Sequence, residues 1–453
     1  MSGATATPCL NGGQLFRIMA LMVVALVAVA LLERLATRSS DVPVAPEPTA
    51  HWGPPNYVEA LDVLDRQVAL ETARVADDPQ SWMRLERLAL AHHARGQLTG
   101  SHADLAQALA LADRARVIAP DGSGPVLARA VVTLSMHRNA DAAEEVARLA
   151  RFVVPAPPGD LAEGDAILGD VALYRGDYAG ARAAYRQADA RVSGPMTQVR
   201  MADWHRHMGR FDDARALLVQ ALADPSAITP WMRASLLLQL GAIDLQTGDW
   251  PAAERRFADA DRAFPGWWLA KAHLAQMAAT RGQFERAETL YRAAMAGAER
   301  PTVMDALAAL YRAMGRTGEA EALEADSTAL WMSRVRSHPE AYADHALEAA
   351  LRAGDAAQAW QLAALNYRSR PYGDGRIGLA RAAESRGRHA SARAILEELE
   401  RTGWRSTEQY RVLESVCSHL GDEACAARAR NSALAISPRA YDARAGLLAF
   451  GHH

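Results

Sequence analysis

The chain has 453 residues, half of them apolar, with 50 Lys and Arg against 53 Asp and Glu and a formal net charge of −3. That near-neutral balance gives no electrostatic case for nucleic acid, and three cysteines are too few for a disulfide framework. Abundant Ala, Leu and Arg with only 6% aromatics favour helices, and the length suffices for a large core or one long solenoid.

Residues 1–14 are small and polar and are expected to be disordered. Residues 15–35 follow as a candidate transmembrane signal-anchor helix. Its uninterrupted stretch, 18–32, is short of the usual span of about 20 residues, but Leu15, Phe16 and Leu35 extend it. Arg17, Glu33 and Arg34 can reach the interface with their charged ends. The alternatives are a cleaved signal peptide, with Ala28-Val29-Ala30 as its small-x-small site, and a helix of a soluble protein. Arg17 on one side and Arg34 with Arg38 on the other nearly balance, so charge does not fix the orientation. A short tail before a large C-terminal portion is the usual bacterial inner-membrane layout, and by analogy the rest faces the periplasm. Lys271 is the sole lysine, which reads as the codon bias of a GC-rich, bacterial genome. Cys9 lacks the context of a lipoprotein site. Residues 41–55 hold five prolines and read as a linker that keeps the remainder off the bilayer.

Residues 56–155 read as atypical leading helical units. A helix is expected over 57–75, then a pair over 81–95 and 102–118 with Gly96 at the turn and a loop insertion over 98–104. A second pair is expected over 125–137 and 140–153, with Asn139 in the turn where glycine usually sits. A proline-rich break over 155–160 separates these from a regular array over 161–438. In that array a glycine is followed five residues later by alanine: Gly176 with Ala181, Gly209 with Ala214, Gly248 with Ala253, Gly282 with Ala287, and on to Gly421 with Ala426. The glycines are spaced 33, 39, 34, 33, 39, 33 and 34 apart, which is the mark of a stacked repeat. Glycine ends one helix because it takes positive φ cheaply, and the polar residue after it opens the next. The alanine is small where two helices cross. Ala188, Ala221, Ala260, Ala294 and Ala433 recur twelve after their glycines, and Pro265, Pro371 and Pro438 seventeen after theirs. Residues 439–453 are expected to form a last helix and tail capping the open end.

This register resembles the tetratricopeptide repeat family. Gly169 and Gly241 match that family's earlier glycine, seven before the turn, and Tyr185, Phe257 and Tyr291 its second-helix aromatic, nine after. Glu324 departs from the pattern at that aromatic position, and two units carry insertions. The resemblance implies an all-α fold: a right-handed α-solenoid of about ten helix-turn-helix repeats, preceded here by one transmembrane helix. It also implies a concave face, lined by the first helix of each repeat, that binds peptides or partner helices. In register, the comparatively apolar part of that face carries Met196, Val199, Arg206, Leu238, Leu245, Leu269 and Gln276, with Trp267 and Trp268 at a helix start beside it. Later units place mixed charge there, including Asp305, Asp344, Glu348, Arg381 and Glu408. The other reading is that the small apolar residues simply pack within a tightly wound superhelix.

No catalytic constellation stands out. His205 and His207, like the adjacent His92 and His93, diverge on a helix and read as surface residues rather than a metal pair. Glu144-Glu145, Asp212-Asp213 and Glu397-Glu398 read as solvated faces. Phosphate loops and nucleophile elbows are absent from the sequence. Cys417 and Cys425 flank the Gly421 turn, either as two small core residues or, in an oxidising compartment, as a pair. The expected function is therefore a non-catalytic, cofactor-free scaffold for proteins of a membrane or envelope complex. The alternative is an accessory protein or enzyme subunit that binds metal, glycan or lipid across repeats.

Overall fold

Each turn glycine of the array does what its chemistry suits it for. Gly176, Gly248 and Gly421 sit at φ of 77°, 83° and 72°, conformations a side chain resists. The residue that follows caps the second helix where it is Asp: Asp177, Asp249, Asp355 and Asp422 each accept a backbone N–H three residues on. A computed structural model describes residues 52–149, 151–152, 154–223 and 228–450. The expected N-terminal tail and membrane helix lie outside the described residues, as does most of the linker. Among the described residues there is no strand, and no helix is long and apolar enough to cross a membrane.

Among the described residues a leading helix, Tyr57–Asp77, is followed by ten helical pairs. Pair 1 is Trp82–Thr99 with His102–Ile118, pair 2 Val126–Ser135 with Asn139–Leu149, and pair 3 Pro158–Tyr174 with Tyr178–Arg191. Pair 4 is Pro195–His207 with Phe211–Leu222, pair 5 Pro230–Gln246 with Trp250–Ala263, and pair 6 Trp268–Thr280 with Phe284–Met295. Pair 7 is Pro301–Ala313 with Thr317–Ser337, and pair 8 Pro339–Arg352 with Ala356–Ser369. Pair 9 is Gly373–Glu384 with His389–Arg401, and pair 10 Thr407–His419 with Glu423–Ile436.

The small residues sit at the crossings. Ala181, Ala214, Ala253, Ala287, Ala320, Ala359 and Ala392 have no exposed surface, and neither do Ala188, Ala221, Ala260, Ala294 and Ala433. The earlier glycines carry the aromatic of the second helix on their bare face. A Cβ on Gly169 would stand 2.4 Å from the Tyr185 ring, and one on Gly241 2.3 Å from the Phe257 ring. Where the aromatic is missing, Glu324 instead takes a bidentate ion pair from Arg312, with Nε–Oε1 at 2.8 Å. The lengthened helix Thr317–Ser337 then supplies a buried Trp331, whose indole N–H donates to Asp305 at 3.0 Å.

Three local expectations are corrected. The first helix of pair 1 runs through Gly96, and Gly100, at φ 71°, makes the turn. Gly96 is instead a close-approach position, where a Cβ would lie 2.8 Å from Leu105. In pair 2 the turn residue is His137, at φ 55°, and Asn139 begins the second helix. The chain after pair 10 forms a short 3-10 turn, Ala443–Leu447, which lies on the first helices of pairs 6 and 7 rather than over the end of the stack.

The array also coils back on itself with a fixed offset: the turn of pair n meets an end of pair n+5 or the connection that follows it. In pair 1, the Thr99 carbonyl accepts from Arg300 Nη2 at 2.9 Å. The Leu98 carbonyl accepts from the indole N–H groups of Trp267 and Trp268 at 3.2 and 3.1 Å. Pair 2 packs Val132 and Met136 into one cluster with Trp331, Tyr342 and Leu347 of pairs 7 and 8. Tyr174, ending the first helix of pair 3, stands edge-on to Tyr372 with ring centres 5.3 Å apart. In pair 4, the His207 ring stacks on Trp404 at 4.2 Å, and its carbonyl accepts from Arg405 N–H at 3.1 Å. The Gly248 carbonyl of pair 5 accepts from Arg439 Nε at 3.2 Å. The turn glycines of pairs 6 to 10, from Gly282 to Gly421, have open space where a Cβ would go. Pairs 1–5 thus lie turn-first against pairs 6–10.

Candidate partner groove

The first helices of pairs 6–10 line a concave surface that the tail partly covers. In pair 6 the concave positions are apolar apart from Gln276, which has no exposed surface and accepts the backbone N–H of Phe450 at 3.0 Å. Phe450 is itself buried beside His273 and Tyr291, with ring centres 5.7 and 6.4 Å away. Toward pairs 7–10 the expected mixed charge resolves into ion pairs within and between repeats. Asp305 meets Arg352 at 2.7 Å, Asp344 meets Arg370 at 2.9 Å, and Arg381 joins Glu348 at 2.5 Å to Glu408 at 3.0 Å. Burial disfavours the Arg381 cation, but Glu348 and Glu408 outweigh it and hold its pKa above the ordinary value.

Two hollows open along this surface. One, about 230 Å³, lies between pairs 4, 5, 9 and 10 and is walled by Arg206, Leu245, Trp404, Arg411, Arg439 and Leu448. The other, about 640 Å³, lies over pairs 8–10 and is edged by Arg381, Glu384, Arg411, Glu414 and Tyr441. Glu408 and Arg411 border both, so the two are adjacent. In the first hollow, Arg206 is held by Asp203 at 2.7 Å. Burial would raise the Asp203 carboxyl, yet the charges of His207 and Arg206 carry it far below the usual carboxylate range.

The residues singled out from the sequence divide by location. Arg206 and Leu245 come together in the smaller hollow. Leu238, Leu245 and Trp267 belong to one buried cluster, with Trp268 and Leu269 packed against it. Trp267 and Trp268 spend their indole N–H groups on the pair 1 turn, and Arg300 lies over the Trp268 ring at 4.7 Å. Val199 is half-buried beside Ala202 and Leu218, and Met196 is exposed, apart from the hollows. Gln276 is taken up by the tail.

Some residues read as surface are not. His205 and His207 keep about a tenth of their side-chain surface, at 12% and 11%: His205 stands edge-on to Trp204 beside Asp213, within pair 4, and His207 is covered by Trp404 of the coiled-back half. His92 is mostly covered and lies against the buried Asp104, with Nδ1–Oδ1 at 2.8 Å. Glu145 is 1% exposed and gathers Arg116, Arg129 and Arg148 between 2.8 and 3.2 Å. Glu384, His389 and His419 bring one ligand atom each within 4.8 Å of one another, from the ends of three helices that no local spacing links. The His389 and His419 rings lie parallel at 4.5 Å, and His419 Nδ1 donates to the Ser415 carbonyl at 2.8 Å. Stacked rings do not aim their lone pairs at one point, so this cluster makes no metal centre as it stands. Cys417 and Cys425 are joined as a disulfide across the pair 10 turn, with Cα atoms 5.7 Å apart.

No family model matches the chain, and no curated protein matches it. Solved structures similar to it match at low identity. Yeast Tom70 is 14% identical, covering 87% of this chain and 90% of that one, with a TM-score of 0.37. PilF of Pseudomonas aeruginosa is 17% identical, covering 47% of this chain and 90% of that one, at 0.36. A tetratricopeptide repeat protein of Parabacteroides merdae is 15% identical, covering 57% and 99%, at 0.33.

Proposed function

We propose that this chain is a non-catalytic scaffold whose concave surface holds segments of partner proteins. The observation that carries this reading is the tail: an apolar stretch of this chain lies along the first helices of pairs 6 and 7, with one backbone N–H read by a buried glutamine. A surface that seats its own chain this way has the apolar floor and the polar handle that peptide recognition uses. We further propose that residues 15–35 anchor the scaffold in a bacterial inner membrane, with the repeats in the periplasm, where they serve an envelope complex. The apolar character of 15–35 supports the anchor, and the Cys417–Cys425 disulfide supports an oxidising compartment.

The test is crosslinking in native membranes, capture through a C-terminal tag, and identification of what is retained. A stoichiometric protein lost on deleting residues 57–450, but kept when another anchor replaces 15–35, supports the scaffold. A clean preparation that carries metal, glycan or lipid and no protein supports an accessory ligand-binding role instead. A topology reporter fused after Phe450 tests the periplasmic assignment separately.

A further inference from the structure

The tail joins the fold differently from every repeat before it. The helical pairs interlock through alanines with no exposed surface, whereas the turn Ala443–Leu447 contains no buried residue. Its hold on pairs 6 and 7 is concentrated at its end. Phe450 is 1% exposed between His273 and Tyr291, and its N–H is the one that Gln276 accepts. Leu447 and Ala449 lean on the cluster of pairs 6 and 7, and Leu448 on that of pairs 5 and 6, each only half-buried. Upstream, Asp442 caps the turn and pairs with Arg439 and Arg444, both of which also lie over the Trp250 ring. The segment is therefore a short apolar peptide with one aromatic anchor, tethered to the last repeat and seated in a groove built by others.

We propose that residues 443–450 are a displaceable internal ligand of the pair 6–7 groove. The external partner this groove fits is an extended apolar segment carrying one aromatic side chain, which fills the Phe450 place and offers its backbone N–H to Gln276. The proposal rests on the scaffold reading and adds both the recognition chemistry and an autoinhibitory contact. A partner must compete with the tail, so the apparent affinity of the intact chain is reduced by the fraction of molecules whose groove is free. Gln276 reads backbone rather than a side chain, so sequence selection falls on the aromatic place.

The test uses the full chain and its double variant Leu447→Ser with Phe450→Ser. The probe is a fluorescein-labelled synthetic peptide of residues 439–450, followed by anisotropy. The double variant is expected to bind the peptide saturably and at least about tenfold more tightly than the unaltered chain, as release of an occupied site requires. A peptide carrying Phe450→Ser is expected to lose binding. Adding Gln276→Leu to the double variant is expected to weaken binding without changing helicity. Equal binding by both chains, or none by a double variant of unchanged helicity, overturns the proposal. Lost helicity in the double variant overturns it too, because the tail would then be part of the core. Either failure leaves the capture experiment free to succeed at another surface, so the two readings fall separately.

Discussion

Replacing Gly241 with alanine sets two effects against each other. In an exposed helix interior, Gly→Ala gains about 1 kcal/mol of helix propensity. At Gly241 the new methyl would lie 2.3, 2.7 and 2.9 Å from three atoms of the Phe257 ring. That ring cannot simply retreat, since it has no exposed surface and is stacked on the His273 ring at 4.4 Å. Overpacking of this kind costs about 1–3 kcal/mol, and three contacts inside 3 Å argue for the upper part of that range. The net expectation is a loss of about 1–2 kcal/mol. Gly318→Ala is the internal control: it lies in the first turn of Thr317–Ser337 with nothing near its Cβ position, and it should be neutral or slightly stabilising. The assay is urea unfolding of both variants followed by far-UV circular dichroism. A fall in midpoint for Gly241→Ala, with no fall for Gly318→Ala, is the predicted outcome. If Gly241→Ala is as stable as Gly318→Ala, the account of glycine as a seat for the second-helix aromatic is wrong.

The remaining predictions concern the crossings, the coiled-back contact and acid. Ala253→Leu, at a crossing with no exposed surface, should cost about 1–3 kcal/mol, and an unchanged thermal midpoint would mean the repeat register is misplaced. Trp267→Ala should lower the unfolding midpoint by an amount typical of a buried tryptophan, about 3–5 kcal/mol, because it empties a buried site and removes a donor to Leu98. Loss of partner capture by that variant with full stability would instead make Trp267 a partner anchor. Acid should loosen the contact between the two halves of the array. Burial pushes His102 down to about 4, aided by the charges of Arg334 and His338, and burial pushes His137 down to about 3, aided by Arg370. Both are neutral in the fold and take up protons near pH 6.5 when unfolded, so stability is complete above that value. It is lost as pH falls toward 4, and below that His102 adds no further loss. His102 is only half-buried, so its share is discounted to about 1–2 kcal/mol. His102→Asn should flatten the dependence of the urea midpoint on pH between 7.5 and 4.5 (values chosen to bracket about one ordinary histidine titration), and a wild-type midpoint constant over that range would refute the assignment.

Repeat length, helix type and crossing positions were all legible in the chain, because they are local. A glycine at positive φ, an alanine five residues on and an aromatic nine on act within one hairpin, and each recurs often enough to be read in register. The leading pairs misled where one residue substitutes for another: Gly96 is a close-approach glycine four residues before the true turn, and His137 takes the turn that Asn139 seemed suited to fill. The groove was only half legible. Gln276 and Leu245 fall on the concave face by periodicity, but what meets them comes from elsewhere, Phe450 in one case and the smaller hollow's far wall in the other. The offset of five pairs, which covers His207 and Trp267 and part of Trp268, depends on small rotations between neighbouring pairs summed along the stack. No single repeat encodes that sum. The sequence by itself therefore determined the hairpin and its repetition, through glycine conformation and side-chain size. The tertiary structure alone decided that the array returns onto itself and that residues 443–450 occupy its own groove, because those contacts join residues 170 to 240 positions apart.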